Sequence, residues 1–250
     1  PGHESLSVIR NQTGFPKPTI ASFSPQSGAI GSQVIITGSN FDVSPTNNKV
    51  YFGATKALVT ASTSSQLIVT VPKGATYQPI SVVANKLIGY SSKPFLVTFS
   101  SNGILDANSF TPKFDFATGN NPREVAIGDL NNDEKPDLVV TNAGSNNSIR
   151  VFQNSSTIGT IDAVSFGNYV DFATGSGPYG VAIGDLDCDG KLDLAVVNYT
   201  SSTISLFRNT GAVGFITSNL FESLGEIITG VNPLAVAIGD LDLDGKPDLA

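Results

Sequence analysis

Three acidic loops contain the side chains of this sequence that are best suited to chemistry. Each loop begins within the hexapeptide Val-Ala-Ile-Gly-Asp-Leu and ends in Lys-Xaa-Asp-Leu. Loop 1 spans residues 129–137, loop 2 spans 185–193 and loop 3 spans 240–248. Their first aspartates are 56 and 55 residues apart. Because self-similarity at a fixed period of this size indicates a repeat architecture, the three loops are best interpreted as one recurring unit.

The loops place oxygen-bearing side chains at positions 1, 3, 5 and 9. Such oxygens are hard ligands, of which Ca²⁺ takes roughly six to eight. Gly190 and Gly245 at position 6 permit a sharp turn, which directs the main-chain carbonyl of the position-7 lysine at the ion. The predicted ligands are Asp129, Asn131, Asp133, Lys135 and Asp137; Asp185, Asp187, Asp189, Lys191 and Asp193; and Asp240, Asp242, Asp244, Lys246 and Asp248.

Several alternatives to calcium compete for these loops. The spacing starts like an EF-hand but stops at position 9, without the glutamate that an EF-hand carries at position 12. Metal-free Asp/Asn-rich turns are the simplest alternative, although three copies with one spacing argue against them. Mg²⁺ prefers few protein ligands and several waters, and Zn²⁺ prefers His and Cys ligands. The sequence therefore predicts up to three Ca²⁺ sites.

Loop 1 departs from the common pattern. Asn131 replaces one carboxylate, and Glu134 stands where the other loops have glycine. Calcium affinity follows the charge and rigidity of the ligands. A Cβ at a position that requires positive φ costs about 1 kcal/mol or more. We therefore expect site 1 to bind calcium more weakly than site 2.

The composition and the strand pattern predict an all-β protein. Apolar residues make up 40% and charged residues 14% of the chain, in short β-branched runs between turn residues. Each repeat unit in residues 101–250 supplies four strands, which predicts the four-stranded blades of a partial β-propeller. Besides the strand before each loop, the predicted strands are 138–142, 148–153 and 164–172, then 194–198, 203–208 and 215–228.

The first 100 residues differ from the repeats. Residues 16–100 are predicted to form an immunoglobulin-like β-sandwich, because short strands alternate with turn residues about every 8–12 residues. These strands are 19–24, 33–38, 49–52, 57–61, 66–71, 80–84 and 95–99. Residues 1–15 are interpreted as the terminal strand of a preceding blade and a linker. With no Met and no visible signal peptide, the chain is expected to be a fragment of a longer protein, with the last blade incomplete.

Two family resemblances support this division. Residues 18–99, from Pro18-Thr-Ile-Ala-Ser-Phe-Ser-Pro25 to Leu67-Ile-Val-Thr-Val-Pro72 and beyond, resemble the IPT/TIG domain family. That resemblance implies a spacer or contact surface without catalytic residues. The repeats resemble FG-GAP repeats of the bacterial, VCBS-like kind, which are related to the calcium-bearing propeller blades of integrin α-subunits. The Gly-Ala-Pro segment of that family is replaced by Asn142-Ala143-Gly144, so integrin-like ligand binding does not carry over.

These resemblances imply a calcium-binding, non-enzymatic adhesion or recognition segment that is extracellular or at a cell surface. Its partner would be a protein or a carbohydrate. A net charge of −7 without a basic cluster argues against nucleic acid, and no apolar run approaches the ~18 residues of a membrane span. A non-catalytic accessory region of a secreted polysaccharide-degrading enzyme, or a structural spacer of a long surface protein, are the alternatives.

Five further residues are candidates of lower rank. Cys188, the single cysteine, has no His nearby and is predicted to be a solvent-facing or half-buried filler rather than a nucleophile. Tyr51, Tyr169, Tyr179 and Tyr199 either form a sugar-stacking surface or close the faces of strands.

Overall fold

Short strands separated by turn residues form nearly all the regular structure of the chain. The computed structural model describes residues 16–99, 109–110 and 112–250. Within these ranges it contains strands β1 to β19 and one 3-10 turn at Pro45–Asn47. The all-β prediction is therefore confirmed. The strand predicted within residues 1–15 lies outside the described residues. No helix in the described ranges has the length and apolar character that a membrane crossing requires.

The first nine strands form the sandwich, here residues 16–99. Seven of them make one antiparallel sheet in the order β1-β3-β6-β5-β4-β7-β8, and β2 pairs with β9 in parallel. Because β5 pairs with β4 at its start and with β6 further along, the sheet turns back on itself there. The bounds are Thr19–Ser24, Ser27–Gly28, Gln33–Ser39, Lys49–Phe52, Lys56–Ser62, Gln66–Thr70, Pro79–Ala84, Leu87–Pro94 and Leu96–Val97.

Alternating apolar residues fill the core of the sandwich. Val34 and Ile36 of β3 are fully buried, whereas Ile35 between them is 41% exposed, as expected for a strand with one buried face. Phe52 and Phe95 meet edge to face at 5.1 Å. This two-layer packing confirms the predicted immunoglobulin-like fold.

Two strands of the sandwich were not predicted, the two-residue β2 at Ser27–Gly28 and β8, and one predicted strand was too long. Leu87–Pro94 forms β8, whereas the strand predicted at 95–99 shrinks to Leu96–Val97. The hairpin between β7 and β8 turns at Asn85 and Lys86, whose φ angles are 54° and 61°. Two positive φ values are typical of a type I′ turn. Asn-Lys lacks the glycine that normally marks such a turn in a sequence.

The repeats form two four-stranded antiparallel sheets and a two-stranded one, each in chain order. The last residue before each loop pairs with its position-9 aspartate in all three units. All three loops therefore lie at the same end of their sheets. The bounds of β10 to β19 are Pro122–Gly128, Asp137–Asn142, Ser148–Phe152, Tyr169–Ala173, Pro178–Gly184, Asp193–Asn198, Thr203–Asn209, Phe221–Ile228, Ile238–Gly239 and Asp248–Leu249.

The sheets stack through their first strands, as blades of a propeller do. A Cβ at Gly128 would lie 3.2 Å from Cδ1 of Ile183, and one at Gly184 would lie 3.1 Å from Cδ1 of Ile238. This repeated close approach explains the glycine in the hexapeptide. Val181 is 6% exposed beside the first blade, whereas Val125, at the same place in the first blade, is 55% exposed.

The sandwich packs on the loop end of the blades. One buried cluster joins Tyr51, Val83 and Ile88 of the sandwich to Leu130, Cys188 and Leu192 of the repeats. Main-chain hydrogen bonds also join the sandwich to the loops. The amide of Asp129 donates to the carbonyl of Ala54 at 3.0 Å, and that of Ile88 donates to the carbonyl of Gly245. All three acidic loops are thus in contact with, or next to, the sandwich.

Candidate metal sites

Loop 2 contains the most favourable cation site. Asp185, Asp187 and Asp193 each offer one carboxylate oxygen, and these oxygens lie within 4.8 Å of one another. Asp185 is 3% exposed. Its Oδ2 accepts from the amide of Gly190 at 2.9 Å and from the hydroxyl of Tyr51 at 3.3 Å. Its Oδ1 is buried without a hydrogen-bond partner. A buried carboxylate oxygen with no donor is costly, and a divalent cation would satisfy it.

The electrostatics of loop 2 also favour a cation. Burial raises the pKa of Asp185 to about 7, against the amide of Gly190, and the neighbouring carboxylates raise it further. Burial likewise raises the pKa of Asp193 to about 6, although two main-chain amides lower it. Without a positive charge, these carboxylates are difficult to ionise together. A bound cation would reverse that effect.

The position-9 aspartates fasten the loops to their blades. In each loop, Oδ2 of this residue accepts from the amide at position 2, at 2.8–3.0 Å. In loops 1 and 2, Oδ1 accepts from the amide that follows the third strand or ends it, Asn154 and Asn209. In loop 3, Oδ1 of Asp248 is buried without a partner. Position 9 therefore has a structural role besides any role as a ligand.

Loop 3 also brings three carboxylates together, but from positions 1, 3 and 5 rather than 1, 3 and 9. Carboxylate oxygens of Asp240, Asp242 and Asp244 lie within 4.8 Å of one another. Oδ1 of Asp240 is buried and has no hydrogen-bond partner. Its Oδ2 accepts from the amide of Gly245 at 3.1 Å and from Nζ of Lys17 at 2.8 Å. Loop 3 therefore fits a cation as well, but a lysine of the sandwich already contacts it.

In loop 1, the side chains at positions 1 and 3 form hydrogen bonds within the loop itself. The two oxygens of Asp129 accept from the amides of Asp133 and Glu134, both at 3.0 Å. Asn131 donates its Nδ2 to Asp133 at 3.2 Å. Within the described residues, the acidic side chains of this loop form no group of three like those of loops 2 and 3. Burial raises the pKa of Asp129 to about 6 and that of Asp137 to about 7.

Positive φ at position 6 is common to all three loops, as the sequence analysis predicted. The φ angles are +93° at Gly190, +90° at Gly245 and +68° at Glu134. Two of these positions are also covered by lysine stems. A Cβ at Gly190 would lie 3.1 Å from Cε of Lys49, and one at Gly245 would lie 2.4 Å from Cβ of Lys17. Glu134 is exposed instead, which explains why loop 1 accommodates a side chain at this position.

Replacing Glu134 by glycine is expected to stabilise the metal-free chain by about 0.5 kcal/mol. Relief of the positive φ contributes about 1–2 kcal/mol, and the greater freedom of glycine in the unfolded chain offsets about 0.4–1 kcal/mol. The matched change Gly190→Ala should destabilise by about 1 kcal/mol or more. Urea unfolding in chelator measures both. Stabilisation by Gly190→Ala, or clear destabilisation by Glu134→Gly, would contradict the strain argument.

Site 2 is expected to bind calcium at least about tenfold more tightly than site 1, because it offers more carboxylates and a glycine at position 6. Calorimetric titration of Asp185→Asn and Asp129→Asn variants measures this. The first change should remove the tighter of the two sites. If the tighter site survives in Asp185→Asn, the ranking is wrong.

Lowering the pH from about 8 to about 5.5 in chelator is expected to raise the unfolding temperature. The folded pKa of about 7 at Asp137 and Asp185 exceeds the value of ~4 in an unfolded chain. Between these values the folded chain holds protons that the unfolded chain has lost, so stability falls as the pH rises toward 7. Saturating calcium should abolish the gain. A metal-free chain that only loses stability on this acidification would refute the expectation.

One lower-ranked prediction, for Cys188, needs correction, and for Tyr51 the structure decides between the two alternatives in favour of a buried strand face. Cys188 is 8% exposed within the cluster shared with the sandwich, so it is not solvent-facing. Burial raises the pKa of its thiol, which disfavours a reactive thiolate. Tyr51 is 2% exposed, so its ring cannot stack on a sugar. Its contact with Asp185 joins residues 134 positions apart, and no local sequence signal could have indicated it.

A polar cleft of about 470 Å³ lies at the end of the first blade opposite loop 1. Its wall includes the amide side chains of Asn120, Asn142 and Asn147. Oδ1 of Asn142 is buried without a partner. Arg150 makes two hydrogen bonds of 2.7 Å with Asp171 in the same wall. The cleft therefore has a polar wall in which Arg150 and Asp171 are held in place by their mutual hydrogen bonds.

Family models match both parts of the chain. The IPT/TIG domain family matches residues 18–102, and the FG-GAP-like repeat family matches residues 129–196 and 185–250. No curated protein matches the chain.

Solved structures give distant likenesses. An auxiliary nutrient binding protein from Bacteroides thetaiotaomicron is 12% identical with a TM-score of 0.33, covering 90% of this chain and 62% of its own. A similar protein from Bacteroides ovatus is 14% identical with a TM-score of 0.30, covering 88% and 62%. A Bacteroides thetaiotaomicron protein of unknown function is 16% identical with a TM-score of 0.30, covering 76% and 46%. The chain thus spans less than two thirds of these structures, which carry no argument about function. Residues 18–102 therefore match the IPT/TIG domain family and residues 129–250 match FG-GAP-like repeats, in the order that the motifs predicted.

Proposed function

We propose that this chain is a calcium-binding, non-catalytic recognition segment of an extracellular or cell-surface protein. The observation that carries the proposal is the buried, unpartnered Oδ1 of Asp185 within a group of three carboxylates. The occurrence of the same loop pattern in FG-GAP-like repeats supports it.

The role proposed for calcium is structural. In loop 2, Asp185, Asp187 and Asp193 would hold the ion, with the carbonyl of Lys191 as a further ligand. The ion would supply positive charge where burial now opposes ionisation. Because the same loop packs against Tyr51 of the sandwich, an ion there would also stiffen the junction between the two domains.

The recognition part of the proposal concerns the opposite end of the blades. Amide, hydroxyl and guanidinium groups line the cleft beside Asn142, and its volume lies in the range of ligand pockets. Carbohydrates and polar protein loops present the hydroxyl and amide groups that such a wall binds. A protein or carbohydrate ligand is therefore proposed for this surface.

Terbium luminescence tests calcium binding directly. The chain has no Trp and six Tyr, and the Tyr51 hydroxyl lies 3.3 Å from Asp185. Terbium in loop 2 should therefore emit when tyrosine is excited, and calcium should displace it. Asp185→Asn should lose most of this emission, whereas Asp171→Asn, on the cleft, should retain it. Absence of sensitised emission, or emission that millimolar calcium does not reduce, would refute the proposal.

A further inference from the structure

Side chains of the sandwich make different contacts with loops 2 and 3, although both loops have glycine at position 6. In each loop the stem of a sandwich lysine covers this glycine: Lys49 covers Gly190, and Lys17 covers Gly245. The ammonium groups of the two lysines have different partners. Nζ of Lys49 donates to the carbonyl of Thr46, within the sandwich.

Nζ of Lys17 instead reaches the position-1 carboxylate of its loop. It lies 2.8 Å from Oδ2 of Asp240, and the side chains of the two residues are 22% and 3% exposed. At the corresponding carboxylate of loop 2, the sandwich provides the hydroxyl of Tyr51, which is neutral. The structurally equivalent carboxylates thus receive a positive charge in one loop and an uncharged donor in the other.

Other cationic side chains lie beside both loops. In loop 2, Nε of Arg208 lies 2.8 Å from Oδ2 of Asp187, and Nζ of Lys56 donates to the carbonyl of Gly190 at 3.3 Å. Nζ of Lys246 lies 3.6 Å from Oδ2 of Asp244 and has no hydrogen-bond partner. Two of the three clustered carboxylates of loop 3 therefore have an ammonium group nearby, whereas in loop 2 the ion pair is at Asp187, so the two loops differ in charge at position 1.

A divalent cation on the buried Oδ1 of Asp240 would share one carboxylate with the ammonium of Lys17. Like charges this close in a buried setting repel each other strongly.

We propose that Lys17 is an intramolecular cation for loop 3, which neutralises Asp240 in the metal-free chain and competes with calcium for the loop. The inference rests on the calcium binding proposed above. It assigns loops 2 and 3 different affinities despite their identical pattern of four aspartates. It also means that calcium binding at loop 3 displaces the ammonium group and so removes one contact between the start of the sandwich and this loop.

Amide resonances of the position-6 glycines give a separate readout for each loop. Gly190 and Gly245 donate to the position-1 carboxylates at 2.9 Å and 3.1 Å, so each amide should shift when an ion polarises its carboxylate. The full chain would be titrated with calcium and followed by ¹H–¹⁵N correlation spectra. In the unmodified chain, Gly190 is expected to respond at a lower calcium concentration than Gly245.

Three variants separate charge from packing. Lys17→Met keeps the aliphatic stem over Gly245 and removes the charge. The calcium concentration at which the Gly245 amide is half shifted (its midpoint) should fall at least about tenfold, and the midpoint of the Gly190 amide should not change. Lys17→Arg keeps the charge, so the Gly245 amide should still respond only at a high calcium concentration. Lys49→Met is the matched control and should change neither midpoint. The count of dispersed resonances verifies that each variant is folded.

The outcomes are distinguishable. If Gly190 titrates normally and Lys17→Met leaves the midpoint of Gly245 unchanged or raises it, competition by Lys17 is refuted while calcium binding stands. If Lys17→Arg tightens Gly245 as much as Lys17→Met does, the effect comes from packing, and the proposal is also refuted. If neither glycine responds to calcium in any variant, both this inference and the proposed function are wrong.

Discussion

Calcium is expected to raise the unfolding temperature of the chelator-treated chain by about 10 °C. A ligand that binds only the folded state at about 1,000 times its dissociation constant stabilises that state by about 4 kcal/mol. For a chain of this size, 1 kcal/mol shifts the unfolding temperature by about 2–4 °C. The buried carboxylates that oppose one another without an ion, Asp185 and Asp193, are the source of this gain.

Differential scanning calorimetry in chelator and in millimolar calcium measures this shift. Magnesium at the same concentration is the control, and should shift the transition less because it keeps its waters. Asp185→Asn should lose much of the calcium effect. Identical transitions in calcium and chelator would contradict the account.

Truncating Leu194 to alanine is expected to destabilise the chain by about 2–5 kcal/mol, the usual cost of a fully buried leucine. Leu194 is 0% exposed and belongs to the cluster shared by the second blade and the sandwich. Leu138 occupies the same place after loop 1 but is only partly buried. Leu138→Ala should therefore cost less, about 1–2 kcal/mol.

Urea unfolding in saturating calcium compares the two leucine variants without a contribution from metal loss. Equal destabilisation by both would mean that the shared cluster adds nothing to the packing of the second blade. Leu194 would then be an ordinary blade residue.

The elements of the fold were largely predictable because local patterns determine them. Apolar segments within each repeat unit predicted four strands per blade, although the fourth strands predicted at 164–172 and 215–228 begin only at Tyr169 and Phe221. The hairpin at Asn85 and Lys86 was missed because its turn uses positive φ without glycine. That failure lies in turn chemistry rather than in the hydrophobic pattern.

The sandwich–loop junction could not be predicted, because it joins residues far apart in the chain. Lys17 and Asp240 are 223 positions apart. The sequence alone shows neither which face of the sandwich is covered nor which of its lysines approaches an acidic loop. Cys188 illustrates the same limit: alternation directs it away from the ion, but only the docked sandwich makes that side buried.

The candidate ligands were predictable as a set but not as individual sites. Spacing alone treats loops 2 and 3 as equivalent, since both have Asp at positions 1, 3, 5 and 9. The structure brings Asp193 into the group of loop 2, whereas Asp244 completes the group of loop 3. The two loops also differ in their contact with the sandwich, because the position-1 carboxylate accepts from the hydroxyl of Tyr51 in loop 2 and from the ammonium group of Lys17 in loop 3.

Counting the calcium ions bound per chain shows directly whether the acidic loops hold calcium. The full chain would be dialysed to equilibrium against buffered calcium, and the metal on both sides of the membrane would be measured by mass spectrometry. The account predicts that calcium accumulates on the protein side, and that Asp185→Asn lowers the bound amount by one ion per chain. Equal calcium on both sides at millimolar concentration, for a chain that is folded, would contradict it.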